Sequence, residues 1–295
     1  MITMRRIAVA AVFLAALNSL DIQAQNSDSA RSLDSPRLYV LDGGVLASDP
    51  GRYDLRVEDV EVTELSIASF LVVHPDGVLL WDAGAVSEGE RVAAGAGAEQ
   101  RLVRQDGNER FVTLGPSLIA QLAASGYTPQ DVTHLALSHY HWDHTADAGS
   151  FAQATWLVAE RERDVMFAAE PPGGTRPSTF DALRSSEVVL LGTDEHDVFG
   201  DGKVIIKQAP GHTEGHLVLL VDLENTGAVL LSGDLYHYPA ERTLNRLPDF
   251  EASPEDTVAS RESVERLLER TDAALWIQHD LAHHRTLRLA PAYYD

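Results

Sequence analysis

The sequence predicts a mixed α/β fold in which two strand-rich halves are flanked by helices. Each half, roughly residues 38–170 and 186–285, gives strands first and a helix later, an order typical of sheets covered by helices. With 295 residues, 44% of them hydrophobic, the chain can bury a sizeable core as one large domain or two small ones. A third observation is that potential metal ligands recur just after the predicted strands.

The N-terminus predicts export. Two arginines precede an apolar run over residues 7–17, which is too short to span a bilayer and is typical of a signal peptide. Cleavage after Ala24 is compatible with the residues before it. We therefore predict a signal peptide over residues 1–24, a polar linker over residues 25–36 and a periplasmic or secreted protein. A disordered or helical N-terminal arm is the alternative.

The first half begins with three strands, expected over residues 38–41, 61–74 and 78–81, where the sequence is apolar or alternating. A Pro-Asp-Gly turn at residues 75–77 separates the last two, so the three are typical of a β-meander. Further on, Asp106-Gly107 lies between two short strand segments and predicts a hairpin. A hairpin at this point could cover a site.

Helices and buried strands make up the remainder. A helix is expected over residues 116–125, where Pro116 lies in the first turn and Gly126 follows the end. Shorter helical segments are expected over residues 160–168 and, with an apolar face, over residues 260–270. The remaining strands are expected over residues 132–137, 156–159, 188–191, 204–207, 216–221, 228–231 and 274–277.

Five segments share one pattern, an apolar run followed by a small or polar hinge and then a potential metal ligand. They are Leu80-Trp81-Asp82, Leu137-Ser138-His139, Pro210-Gly211-His212, Ser232-Gly233-Asp234 and Ile277-Gln278-His279. Function commonly lies in the loops beyond the strand ends of a buried sheet. Five strand ends that carry Asp or His therefore predict one edge of the fold at which ligands converge.

The densest group of potential ligands is His139-Tyr140-His141-Trp142-Asp143-His144. His139 and His141 are two residues apart, so an extended backbone points both to the same side. Asp143 and His144 are adjacent and cannot join that pair without a turn. The spacing therefore serves two neighbouring metal positions better than one. Imidazole and carboxylate suit zinc, and also iron, manganese or cobalt; a solvated polar loop is the alternative.

Composition restricts the possible partners. Acidic residues outnumber basic residues by 45 to 23, giving a formal net charge of −22, which repels phosphate backbones and anionic membrane surfaces. We therefore expect neither nucleic acid nor a membrane as a partner. Cysteine is absent, which excludes disulfides, thiolate nucleophiles and Cys-ligated metals.

Together these motifs resemble the metallo-β-lactamase superfamily. The stretch over residues 139–144 is similar to its His-x-His-x-Asp-His signature. Residues 80–84, 211–216, 232–234 and 279–280 resemble the other motifs of the superfamily, in the same order along the chain. The resemblance implies an αββα sandwich with a two-metal site on its edge and a single hydrolase domain over residues 37–295.

The resemblance also implies a set of seven ligands for two Zn²⁺ ions, with Fe, Mn or Co as alternatives. His139, His141 and His212 would bind the first metal, Asp143, His144 and His279 the second, and Asp234 would bridge them. Asp82 would orient ligands and His216 would be structural. The implied chemistry is attack by a metal-bridging hydroxide, with Asp143 or Asp234 passing the proton to the leaving group.

Within the superfamily, residues 70–84, 121–132 and 277–280 resemble the N-acyl-homoserine lactonase branch. A bridging carboxylate at Asp234 is unlike true metallo-β-lactamases. An acidic exported protein also suits a small neutral lactone or ester better than an anionic thioester. We therefore predict a hydrolase, monomeric or homodimeric, that opens lactones or related esters, with N-acyl-homoserine lactones the favoured substrates.

One departure from that branch concerns a tyrosine that such lactonases carry three residues after the bridging aspartate. Here that position is His237, with Tyr236 and Tyr238 on either side. Tyr236 and His237 are therefore candidate catalytic residues, and Tyr238 could also substitute if the loop shifts. Simple packing of the three rings is the alternative.

Other functions remain open at this point. They are a glyoxalase-II-like thioesterase, an organophosphate or aryl-ester hydrolase, a β-lactamase, an iron redox enzyme and a metal-binding protein without hydrolytic activity. A thioesterase would need basic residues near the site to hold an anionic glutathione group, and the sequence identifies no such cluster.

Overall fold

Two β-sheets and five α-helices make up the described part of the chain. A computed structural model describes residues 34–91, 97–192 and 195–295, so the predicted signal peptide and nearly all of the predicted linker lie outside the described residues. Residues 35–295 form one compact unit. Among the described residues, no helix combines the length and the apolar character needed to cross a bilayer.

The strands are β1 (Arg37–Leu46), β2 (Leu65–His74), β3 (Gly77–Trp81), β4 (Glu99–Val103), β5 (Glu109–Leu114), β6 (His134–Ala136), β7 (Thr155–Ala159), β8 (Val188–Leu191), β9 (His196–Asp197), β10 (Val204–Gln208), β11 (Leu217–Leu223), β12 (Gly227–Leu231) and β13 (Ala274–Trp276). The α-helices are α1 (Leu118–Ala124), α2 (Glu160–Met166), α3 (Pro239–Leu244), α4 (Pro254–Thr271) and α5 (Leu281–His284). Short 3-10 helices lie over Pro50–Tyr53, Val57–Asp59, Glu88–Glu90, Pro129–Asp131, Ala148–Phe151, Pro177–Thr179, Asp181–Ser185 and Gly233–Leu235.

The first sheet has the strand order β4-β5-β1-β2-β3-β6-β7-β8, and the second has the order β13-β12-β11-β10-β9. Strands β1, β2 and β3 pair antiparallel as the predicted meander. Strands β3, β6, β7 and β8 then run parallel, which requires crossover connections such as α2 between β7 and β8.

The main core lies between the two sheets. Alternate residues of β1 and β2, such as Val40 and Phe70, pack there with residues of β11 and β12, such as Leu219 and Leu231. Full burial of one such side chain stabilises the folded state by about 1.5–3 kcal/mol relative to leaving it exposed to water. On the outer face of the second sheet, Val264 and its neighbours on α4 pack on β11 and β12, while α1 contacts β1. This confirms the predicted αββα sandwich.

The strand directions explain why the five predicted ends meet. Parallel β3 and β6 finish at the same edge of the first sheet. In the second sheet β10 and β12 both run antiparallel to β11, and β13 runs parallel to β12, so their carboxyl ends share an edge too. Backbone hydrogen bonds join the two edges, with Leu217 N donating to Ser138 O at 2.8 Å and Ser66 N to His279 O at 3.1 Å.

Two local predictions differ from the structure. The Asp106-Gly107 hairpin closes through residues 104–108 rather than through two residues, because Asp106 Oδ1 accepts from Asn108 N at 2.9 Å and widens the turn. Helix α4 begins six residues earlier than predicted, at Pro254. Ser253 caps it by accepting from Asp256 N at 3.2 Å, and a proline is favoured in the first turn.

Candidate metal centre

The structure brings all seven predicted ligands together at the shared edge of the sheets. They fall into two groups, His139, His141, His212 and Asp234 in the first and Asp143, His144 and His279 in the second. Within each group, one ligand atom per residue lies within 4.8 Å of the others. Six of the seven side chains are buried and His141 is half-buried.

Asp234 joins the two groups. Its Oδ2 lies 3.5 Å from Nε2 of both His139 and His212. Its Oδ1 lies 3.1 Å from Nε2 of both His144 and His279. One oxygen of the carboxylate therefore faces each group, as a bridging ligand requires.

The donor chemistry fits two divalent cations. His144 Nε2 and Asp234 Oδ1 are buried and have no hydrogen-bond partner among the described residues, although buried polar atoms are nearly always satisfied. His141 Nδ1 lies 2.9 Å from Nε2 of both His139 and His212, so three imidazole nitrogens point at one another. A cation in each group would satisfy lone pairs that no side chain satisfies.

Electrostatics favour the ligand forms of His139, His141 and Asp234. Burial and the charge of His144 hold the pKa of His139 well below its usual range, and burial does the same for the pKa of His141. Burial opposes the charged form of Asp234, but the surrounding imidazoles, His279 first, hold its pKa well below the usual value. Neutral imidazole and ionised carboxylate are the forms that bind metal.

Asp82 is the hub that orients the second group. Its Oδ2 lies 2.8 Å from His144 Nδ1 and accepts from Gln278 Nε2 at 2.7 Å, while its Oδ1 accepts from Ser138 N at 2.6 Å. The residue is fully buried and has a φ of 60°, a left-handed conformation that costs a non-glycine residue about 1–3 kcal/mol. The strand ends of β3, β6 and β13 are thus tied to one carboxylate.

Two more ligand rings are fixed through their second nitrogens. His279 Nδ1 donates to Ser66 O at 2.6 Å, and His212 Nδ1 lies 3.1 Å from Glu251 Oε1. Such partners fix the orientation of a ligating imidazole and raise its basicity. Glu251 was not identified from the sequence, because it lies in an irregular segment with no pattern around it.

Glu162 on α2 was also missed. It is buried, and it accepts from Tyr140 N and Gly215 N, each at 2.8 Å, and from the Thr213 hydroxyl at 2.9 Å. It therefore clamps the two loops that carry His139, His141 and His212. Burial raises its pKa to about 8. In the sequence, a glutamate among the charged residues at the start of a helix looks like part of a solvated face.

His216 stands outside both groups. Its Nε2 accepts from Asp234 N at 2.9 Å, and its Nδ1 lies 3.1 Å from Ala209 O. It supports the backbone of the bridging residue, in keeping with the structural role expected for it.

The segment after Asp234 corrects one prediction. The backbone is extended at Tyr236 and Tyr238, so successive side chains point to opposite sides. His237 faces the centre, with Nε2 3.2 Å from Asp234 Oδ2. Tyr236 faces α4 instead and donates to Glu265 at 3.2 Å, and Tyr238 donates to Thr63 O at 2.6 Å. The structure does not bring Tyr236 to the ligands, so we assign it no catalytic role.

A cavity of about 360 Å³ opens onto the centre. Tyr53, Phe250 and His237 form one wall, with the Tyr53 ring centroid 4.7 Å from that of His237 and 5.4 Å from that of Phe250. Three arginines also line it, namely Arg52, Arg104 and Arg110. The sequence did not reveal this basic cluster, because Arg52 comes from a segment far from the hairpin that carries Arg104 and Arg110.

Comparison with known proteins identifies the class. Residues 62–279 match the family model described as the metallo-beta-lactamase superfamily. The protein therefore belongs to the metallo-beta-lactamase superfamily, as its motifs predicted.

Its relatives include lactonases. The chain is 31% identical over 268 residues to the N-acyl homoserine lactonase AttM of Azorhizobium caulinodans, covering 88% of this chain and 98% of that protein. It also resembles the structure of a Bacillus thuringiensis AiiA variant with N-decanoyl-L-homoserine bound at the active site. That match has a TM-score of 0.72 and 20% identity, and covers 88% of this chain and 99% of the other. AidC, a dizinc quorum-quenching lactonase, matches with a TM-score of 0.61 and 16% identity, covering 84% of this chain and 88% of AidC. At these identities the structural likeness shows the fold.

Proposed function

We propose that this protein is a metal-dependent hydrolase that opens the ring of N-acyl homoserine lactones or closely related esters. One observation carries the proposal: a single buried carboxylate, Asp234, faces two ligand groups at the base of an open cavity. The lactonase relatives, matched over most of their length, support the lactone as the substrate class.

Two divalent ions, which we propose are zinc, would be held by the residues of the two groups. When bound, such ions lower the pKa of a coordinated water towards 7 and polarise the substrate carbonyl. The chain itself contributes the orientation of the ligands through Asp82, Glu251 and Glu162.

Ring opening takes both protons from the attacking water, one passed to the ring oxygen and one released to solvent. The oxygen of water bonds to the lactone carbonyl carbon, the ring C–O bond breaks, and the ring oxygen takes a proton to become a hydroxyl group. The product is the open carboxylate. Asp234 has both oxygens within 3.5 Å of histidine nitrogens, whereas Asp143, which lines the same cavity, approaches His279 and His144 only to 3.8 and 4.0 Å. We therefore assign the proton transfer to Asp143.

His237 is assigned to the substrate. Its ring faces the cavity, and its other nitrogen, Nδ1, lies 3.5 Å from Glu241 Oε2. Glu241 is itself held by Arg261 at 3.2 Å, so a fixed carboxylate faces this side of the ring. His237 Nε2, which lies 3.2 Å from Asp234 Oδ2, would donate a hydrogen bond to the substrate carbonyl.

The direct test is ring opening of N-hexanoyl homoserine lactone and its longer homologues, followed by mass spectrometry on protein whose metal content has been measured. We expect turnover with about two metal ions per chain and loss of turnover after chelation, restored by zinc. An Asp143→Asn variant that keeps both metals should have a lower kcat. Absence of turnover at every acyl length, with fully metallated protein, would contradict the proposal.

We also propose that the protein is exported, on the basis of residues 1–24. N-terminal sequencing of the mature protein from its native host should place the start near Gln25. A full-length cytoplasmic product would contradict this.

A further inference from the structure

We infer that Arg52, Arg104 and Arg110 form an anion-binding subsite at the mouth of the cavity. The favoured substrates would then be lactones or esters whose acyl group ends in a carboxylate. The lactone part of this inference rests on the proposed function. The anion-binding part rests on the cavity alone.

Two of these arginines occupy positions where a strand ordinarily places apolar residues. On β4, Gln100 and Leu102 face inward, and Arg104 continues that face just after the strand. On β5, Arg110 shares its face with buried Val112 and Leu114. Charged side chains on the inward face of a hairpin are unusual unless they are paired.

The third arginine comes from a different segment and is held in place by an aromatic ring. Arg52 lies in the 3-10 helix Pro50–Tyr53, and its guanidinium carbon lies 4.4 Å from the centroid of the Phe250 ring. This is a cation–π contact. It directs the guanidinium to the wall of the cavity that Tyr53 and Phe250 form.

Only one of the three arginines at the mouth is directly paired with a carboxylate in the described part of the chain. Three carboxylates line the cavity: Asp106 pairs with Arg104, and Asp143 and Asp234 belong to the two ligand groups. In the described part of the chain, neither Arg52 nor Arg110 makes an ion pair with a carboxylate. Burial, followed by the positive charges of Arg104 and Arg52, lowers the pKa of the Arg110 guanidinium. An anion between these groups would remove their mutual repulsion.

The subsite is fixed relative to the metal centre. The tip of the hairpin is held by Gln105 N donating to Thr175 O at 3.0 Å and Asp106 N to Gly173 O at 3.2 Å. A β-carbon on Gly174 would lie 2.6 Å from the His141 ring, so this loop packs directly on a predicted ligand. A preformed subsite of this kind adds affinity without an ordering cost on binding.

The chemistry favours a carboxylate. Guanidinium groups bind carboxylates through two parallel hydrogen bonds, a geometry that lysine cannot reproduce. In a protein with a net charge of −22, such a cluster also gives an anionic substrate a local attraction.

The test compares two lactones of equal acyl length, N-hexanoyl homoserine lactone and N-adipoyl homoserine lactone, which differ by a terminal carboxylate. We expect kcat/KM to be about tenfold higher for the adipoyl compound, mainly through KM, because its terminal carboxylate can pair with the guanidinium groups; tenfold corresponds to about 1.4 kcal/mol. Added salt should reduce this ratio. Arg52→Gln and Arg110→Gln should lower the ratio towards one, and Arg110→Lys should give an intermediate value.

Arg101→Gln is the matched control. Arg101 lies on the same hairpin and carries the same charge, but it is 56% exposed and does not line the cavity. The ratio should not change in this variant. Equal kcat/KM for both lactones, or a ratio that persists in Arg52→Gln and Arg110→Gln, would overturn the subsite.

A separate measurement covers the case in which neither lactone is opened, which would contradict the proposed function instead. Adipate and hexanoate are titrated into metallated protein by calorimetry. Tighter binding of adipate, lost in Arg110→Gln but kept in Arg101→Gln, supports the subsite. Equal affinities for the two acids overturn it.

Discussion

The seven predicted ligands form the floor of the cavity and are held by fixed partners. Arg52, Arg104 and Arg110 form its rim, and most of their charges are unpaired in the described part of the chain. His144 is held by Asp82 at 2.8 Å and His279 by Ser66 O at 2.6 Å. In the part of the chain that the structure describes, Arg104 is the one rim residue with a carboxylate partner, Asp106.

This difference separates chemistry from substrate choice. A floor with fixed partners can hold a reactive geometry without reorganisation, which is how most catalytic stabilisation is achieved. A rim with open charges can change its preference by a few substitutions, as expected when one fold carries many functions. Substitutions at the floor should therefore lower the turnover of neutral and anionic lactones equally. Substitutions at the rim should change the turnover of anionic lactones more than that of neutral lactones.

The largest effect is expected from the bridging carboxylate. Asp234→Asn replaces the two charged carboxylate oxygens that face the two ligand groups with one neutral oxygen and an amide nitrogen. Loss of metal chemistry removes several kcal/mol of transition-state stabilisation. We expect turnover of both lactones to fall by about three orders of magnitude or more. Elemental analysis should show less than two metals per chain. Asp222→Asn, at an exposed position of β11, is the control, and equal losses in the two variants would contradict the bridging role.

A smaller loss is expected at Asp82, which contacts the centre only through His144. Asp82→Asn keeps the shape of the side chain but removes one of the acceptors that Ser138, Gln278 and His144 share. Partners of this kind typically change metal affinity or activity by about 10- to 100-fold. Competition with a chelator should show weaker retention of one metal. Asp76→Asn, in the exposed turn before β3, should retain metal as the wild type does.

The contrast between floor and rim also explains what the sequence could predict. Ligands such as His139 and Asp234 directly follow apolar strands, so a local pattern marks them, and parallel strand ends bring them to one edge. Arg52 and Arg110 are 58 positions apart and meet only because of how a hairpin and a 3-10 helix pack. Glu162 gave no signal either, since a buried carboxylate on a short helix looks like a surface residue until its partners are known.

Glu162 offers the third test, in which stability rather than turnover is the main quantity. A glutamine cannot accept at both ends, so Glu162→Gln leaves Tyr140 N or Gly215 N without its partner. A lost buried hydrogen bond costs about 1–3 kcal/mol, measured as the free energy of unfolding in denaturant. Glu160→Gln, at an exposed position of the same helix, should cost much less.

The same pair of proteins tests the raised pKa of Glu162. The carboxyl group has an ordinary pKa of 4.5 and a folded-state pKa of about 8, so the proton is held more tightly in the folded state. Its contribution to stability is present below pH 4.5 and is lost as the pH rises to about 8. The stability of the wild type relative to Glu162→Gln should therefore fall across that interval. A rise would mean that the carboxylate is stabilised in its charged form.

The smallest effect is expected from Tyr236, which borders the centre in sequence but not in space. Tyr236→Phe removes one partly buried hydrogen bond to Glu265, worth about 0.5–1.5 kcal/mol, and keeps the ring beneath Arg261. Turnover of both lactones should stay within about twofold of wild type, because a lost hydrogen bond remote from the reacting atoms does not alter transition-state binding. His237→Phe should lower kcat for both lactones, because His237 faces the same centre as Asp234. If Tyr236→Phe instead lost as much turnover as His237→Phe, the alternation that turns Tyr236 towards α4 would not hold in the working enzyme.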